Sequence, residues 1–180
     1  MNDAHLHLLF NHLPIVGSLI GILTLAAGIF LKQPIVRKTA FGILVFSALV
    51  TLPAFFTGEG TEEIVEELPG ISHNLIHEHE EAAELALWLS NGLGILALIA
   101  FYLEHIQHKF SGMANLFTLI FSIGTFVSFA KTGNTGGEIH HPEIRNVANN
   151  PASDTLQNFE EVLNNQDTLE NYNEMEEDRD

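Results

Sequence analysis

Apolar and polar residues are segregated into blocks along this chain. Four blocks, Leu13 to Leu31, Thr39 to Phe56, Ala82 to Leu103 and Met113 to Ala130, consist mainly of Leu, Ile, Val, Phe, Ala and Gly. Each holds about 18 to 22 residues, enough as helix to cross roughly 30 Å of hydrocarbon. The pattern predicts an all-α fold, a four-helix transmembrane bundle forming a multi-pass membrane domain over residues 1–145. Between the second and third blocks Ile64, Val65 and Leu68 make a small apolar stripe before the Pro69-Gly70 break, which predicts a short interfacial helix. Ser72 is placed to cap a third helix that starts well outside the membrane and carries His73, His77, Glu80, Glu81 and Glu84 down toward it. Beyond Arg145 the chain is rich in Asn, Asp and Glu and poor in clustered apolar residues. Residues 146–180 are therefore expected to be a disordered acidic tail, with at most a weak helix from Leu156 to Leu163.

Charge adds an orientation to this picture, because Lys and Arg near the ends of membrane helices stay on the cytoplasmic side. Lys32, Arg37 and Lys38 lie between the first two blocks, and Lys109, with His105 and His108, between the last two. Both connections are expected to face the cytoplasm. The N-terminus, the long central loop and the tail then face the periplasm, as in a bacterial inner-membrane protein with both termini outside. Of the 23 Asp and Glu only Glu104 falls on the cytoplasmic side, and of the 10 His only His105 and His108 do. A hydrophobic content of 46% coexists with a formal net charge of −16 only through such segregation.

Several function classes drop out. Cysteine is absent, which excludes disulfides, thiolate metal sites, iron–sulfur clusters and the Cys-x-x-Cys-His attachment of c-type haem. The acidic outward surface argues against nucleic-acid binding. No nucleophilic triad is visible, and four spans alone make a poor transporter, although a homo-oligomer could create a path. The N-terminus lacks the basic stretch and cleavage site of a signal peptide, so the first block is expected to be retained.

Within the spans, Gly17, Gly21, Thr24 and Gly28 fall on nearly one helical face; Ser90, Asn91, Gly92 and Gly94 sit near the middle of the third block, and Thr118, Ser122 and Thr125 follow at helical steps in the fourth. Small residues at this spacing let helices approach closely; the other reading is a gap for a flat cofactor. Glycine-rich elements, Thr57 to Gly60 and Thr132 to Glu143, close the second and fourth spans. Neither is a phosphate loop, since no Gly-Lys-Ser/Thr follows. They are expected to turn the backbone sharply and fold His141 and Glu143 toward the other outer-face groups.

The histidines carry the strongest chemical signal. His5, His7 and His12 precede or open the first span, His73, His77 and His79 open the third, and His140 and His141 follow the fourth. Imidazoles from separate helices thus reach one level of the membrane. Two of them suit the axial positions of haem b, whereas imidazole with carboxylate suits zinc, iron or copper. Histidines near a headgroup region also occur as plain surface residues, which is how His105 and His108 read. Glu59, Glu62 and Glu63 read as a solvated helix face. Glu84, about one turn inside an apolar helix, either faces the bundle or stays wet at the interface.

The opening Asn2 to Ile15, the Thr57-Gly58-Glu59-Gly60-x-Glu62-Glu63 stretch, the His79-Glu80-Glu81 start of the third helix and the Gly136-Gly137-x-Ile139-x-His141-Pro142-Glu143-Ile144 close together resemble a bacterial family of small four-helix membrane proteins classed as a domain of unknown function. The resemblance covers about Met1 to Arg145. Related domains look to be found beside, or fused to, cytochrome-like modules, which implies a respiratory or redox setting and membrane-complex subunits as partners. It favours His12, His79, His141, Glu59, Glu80 and Glu143 as site residues. Three functions follow as expectations: haem b held by His12 and His79 for electron transfer; a non-haem zinc, iron or copper site built from His12, His79, His141, Glu59, Glu80 and Glu143; or a noncatalytic accessory subunit whose acidic tail binds a basic partner.

Overall fold

The computed structural model describes residues 3–65, 73–141 and 144. The chain forms helices α1 (Asp3–Phe10), α2 (His12–Phe30), α3 (Pro34–Val65), α4 (His73–His105) and α5 (Ser111–His140), with no strand among the described residues. It divides into two compact units, Met1–Ile139 and His140–Asp180, and the bundle is the first. Four stretches, Ala4–Phe30, Pro34–Thr61, His73–His105 and Ser111–Ile139, are long and apolar enough to cross a bilayer. The protein is a multi-pass membrane protein with an all-α, four-helix fold.

Polarity is arranged for lipid outside and hydrogen bonds inside. Phe30, Leu23, Phe46, Trp88, Ile95 and Val127 point outward, while Ser18, Ser47, Thr51, Ser90, Thr118, Ser122 and Thr125 are buried. Leu25, Ala40, Phe41, Leu44, Leu93, Ala97 and Ala100 form the central apolar core. Small residues set the helix spacing: a Cβ at Gly21 would stand 2.5 Å from Cδ2 of Leu44, and one at Gly28 would stand 2.8 Å from the main-chain nitrogen of Arg37, so glycine lets α2 lie this close to α3. The α2 glycines therefore serve helix packing, and their faces are filled by α3 side chains. Hydroxyls link neighbours in addition, Ser47 Oγ donating to the Pro14 carbonyl at 2.8 Å and Thr51 Oγ1 lying 3.0 Å from Ser90 Oγ.

At one end of the bundle the connections are tight. Residues 31–33 join α2 to α3 with Lys32 at φ 56°, and α3 opens on Pro34, where a missing N–H leaves no helix bond unmade. The α4–α5 connection likewise places Gln107 at φ 53°. Beside these turns, at what is called here the loop end, Arg37 does not stay free. Its Nη1 donates to the Gly28 carbonyl at 3.1 Å and its Nη2 to Glu104 Oε1 at 2.5 Å, while Asn115 Nδ2 donates to Glu104 Oε2 at 2.9 Å. One charged cluster thus ties α2, α3, α4 and α5 together.

Helix limits depart from the sequence pattern at the opposite, α1 end. The Thr57 to Gly60 stretch continues as helix, and Ile64 and Val65 end α3 instead of starting a separate interfacial helix; Leu68 lies outside the described residues. The short element that exists besides the spans is α1, joined to α2 at Asn11, whose N–H reaches the His7 carbonyl at 2.8 Å. Thr132 to Gly137, expected to turn, is the last part of α5. Thr57, Thr61 and Thr132 each donate to a carbonyl four residues back, consistent with unbroken helix. The third helix begins at His73, where the pattern placed it. The acidic tail, residues 146–180, lies outside the described residues.

Candidate functional site

Two of the glycines that read as turn formers, Gly58 and Gly136, instead face histidine rings. His7, on α1, lies over α3 at Gly58, where a Cβ would stand 3.3 Å from its Cε1. His79, on α4, lies over α5 at Gly136, where a Cβ would stand 2.9 Å from its Cε1 and 3.2 Å from its Nδ1. Each imidazole takes the room that a side chain on the neighbouring helix would otherwise occupy.

Both rings are anchored in the same way. Nδ1 of His7 lies 2.9 Å from the Ala54 carbonyl of α3. Nδ1 of His79 lies 3.1 Å from the Thr132 carbonyl of α5 and 3.1 Å from Thr135 Oγ1. A carbonyl oxygen only accepts, so in each neutral ring Nδ1 carries the hydrogen and Nε2 keeps its lone pair. Thr132 in turn donates its hydroxyl to the Ala82 carbonyl at 2.9 Å, closing a reciprocal α4–α5 contact around His79. His7 is near enough to act electrostatically on both His79 and His12, so α1, α2 and α4 each bring an imidazole to this end of the bundle.

The remaining residues singled out from the sequence are placed as follows. His12 opens α2 with its side chain exposed, and His5 is exposed on α1. Glu59 and Glu80 are exposed. His77 lies 3.7 Å from Glu80 and 3.3 Å from Glu81 along the outer surface of α4. Glu84 is exposed too, and accepts from Trp88 Nε1 at 3.5 Å, so it stays at the surface and does not enter the bundle. His141 is exposed and belongs to the second unit, and Glu143 lies outside the described residues. Among the described residues no group of three or more His, Asp or Glu side chains is gathered for a metal ion.

Sequence reasoning passed over His7 as one imidazole among three, and over Gly58, Gly136, Thr132 and Thr135 as turn elements. It also passed over Glu138, which is buried at 5% exposure and accepts from Asn134 Nδ2 at 2.7 Å. The available signal was a threonine and a glycine at the end of each of two spans, with a histidine at the start of the elements packed against them. Comparison with protein-family profiles, with curated proteins and with solved structures finds no match.

Proposed function

We propose that this protein is a bacterial inner-membrane electron-transfer component that binds haem b at its α1 end, where His79 and His7 would hold it. The observation that carries this reading is the common anchoring of the two rings: each gives Nδ1–H to a main-chain carbonyl, which leaves Nε2 as the coordinating atom. Ligating histidines ordinarily hold their other nitrogen in this way, since the second bond fixes tautomer and orientation and raises the basicity of the ligand. The chemistry of the donor set therefore fits haem b.

Bound there, haem would supply one-electron exchange, with a potential set by axial ligands and burial. The chain's own residues do the rest. Ala54 and Thr132 orient the rings through their carbonyls, and Gly58 and Gly136 leave the room that the rings occupy. His12, exposed at the start of α2 and acting electrostatically on His7, is the alternative partner for His79. The resemblance to a four-helix membrane family with relatives beside cytochrome-like modules fits the same setting. Lys32, Lys38 and Lys109 at the loop end support periplasmic termini.

The test is cofactor content in single variants of the detergent-purified protein. His7→Ala and His79→Ala are expected to lower bound haem while His105→Ala leaves it unchanged. Equal haem in all of them contradicts the assignment.

A further inference from the structure

The loop end of the bundle carries charges that the histidine site does not use. Arg37 and Glu104 pair across it, and their bond fixes how the two connections lie. Arg37 is five residues past Lys32 and next to Lys38, and Glu104 is five residues before Lys109. Holding residue 37 against residue 104 therefore sets the α2–α3 connection beside the α4–α5 connection. Asn115, bonded to the other oxygen of Glu104, draws the start of α5 to the same point.

Charge at this end is one-sided. Glu104 is the only acidic residue there among those described, and both its oxygens are taken up inside the bundle, Oε1 by Arg37 and Oε2 by Asn115. Lys32, Lys38 and Lys109 make no ion pair among the described residues. Lys32 and Lys109 are exposed and Lys38 is half-buried. Three positive charges thus stand in surplus at one end of a chain whose net charge is −16. Lys109 also has a fixed place, its Nζ lying 5.0 Å from the centre of the Phe110 ring, a cation over an aromatic face.

Apolar side chains interleave with these cations. Phe30, Leu31 and Ile35 are exposed around Lys32, and Ile106 and Phe110 around Lys109. All of them lie at or next to the ends of spans, so the lysines stand where hydrocarbon gives way to phosphate, with their stems along apolar surface and their ammonium groups at headgroup level. A soluble anion would leave the apolar residues uncovered, whereas a lipid covers them with its acyl chains while its phosphate meets the lysines. We propose that the loop end is a binding surface for anionic phospholipid, with Lys32, Lys38 and Lys109 receiving the headgroup phosphate and Phe30, Ile35 and Phe110 lying along the acyl chains. The lipid is one of net negative charge, such as phosphatidylglycerol, because a zwitterionic headgroup brings its own ammonium group, which competes with the lysines for the phosphate. The proposal goes beyond the haem reading and stands without it.

The test is native mass spectrometry of the detergent-purified full chain, titrated with phosphatidylglycerol or with phosphatidylcholine of the same acyl chains. Phosphatidylglycerol is expected to bind about tenfold or more tightly, each lysine at the membrane surface contributing about fivefold. Lys32→Gln with Lys109→Gln removes two exposed ammonium groups that form no ion pair, so the bundle keeps its fold, and is expected to abolish most of the preference. Lys131→Gln is the control, because Lys131 is exposed on α5 toward the α1 end and is expected to leave the preference unchanged. Glycerol 3-phosphate, which offers the phosphate without acyl chains, is expected not to displace the bound lipid. Equal affinity for the two lipids overturns the proposal, as does a wild-type preference in the double variant. Displacement by glycerol 3-phosphate overturns it too, and assigns the lysines to a soluble phosphate. Circular dichroism of each variant tells loss of the surface from loss of the fold, and haem content of the same samples separates this surface from the histidine site.

Discussion

Gly136 and His79 share one space: a Cβ on residue 136 would stand 2.9 Å from Cε1 of the imidazole. The ring cannot yield without leaving the Thr132 carbonyl, which its Nδ1 meets at 3.1 Å. Gly136→Ala is therefore expected to displace His79 and reduce bound haem. Alanine favours helix over glycine by about 1 kcal/mol, so the helix itself does not suffer. Gly58→Ala, where the corresponding distance to His7 is 3.3 Å, is expected to have a smaller effect. Haem content and circular dichroism of the two variants check this order.

The spans are legible in the sequence because each is an apolar run long enough to cross a bilayer, and no competing element has that length. Where the helices end is less legible. Thr57 to Gly60 and Thr132 to Gly137 carry turn residues, yet continue as helix; Gly58 and Gly136 there answer to an opposing ring, and periodicity within one segment does not reveal what lies opposite. His79 stands out by its place at the head of the third span. His7 does not, because its partner is a main-chain carbonyl 47 residues away. Arg37 reads as a topology marker for the same reason: its partner Glu104 is 67 residues on.

That ion pair makes a stability prediction. Arg37 and Glu104 are 15% and 6% exposed, so Arg37→Ala leaves a carboxylate buried without its cation and is expected to cost about 3–5 kcal/mol. Arg37→Met with Glu104→Leu removes both charges and is expected to recover part of the loss, the remainder reflecting the unpaired Asn115 amide. Unfolding of the variants in detergent by denaturant measures the difference.

Orientation rests on few charges, since Arg37 is neutralised by Glu104 and only Lys32, Lys38 and Lys109 remain to favour a cytoplasmic loop end. A cysteine-free chain makes the check simple. Gly112 has nothing within 4 Å of a built Cβ, and Asn74 is exposed at the start of α4, so each accepts a cysteine. An impermeant thiol reagent added outside cells is expected to label Asn74→Cys and spare Gly112→Cys. The opposite pattern reverses the topology.

The central claim is tested most directly by the reduced-minus-oxidised visible spectrum of the detergent-purified protein, recorded with elemental analysis of the same sample after haem is supplied during expression. The account predicts a Soret and an alpha band of haem b, with both lost from the His79→Ala protein. A spectrum without these bands, or bands of wild-type intensity in His79→Ala, would contradict it.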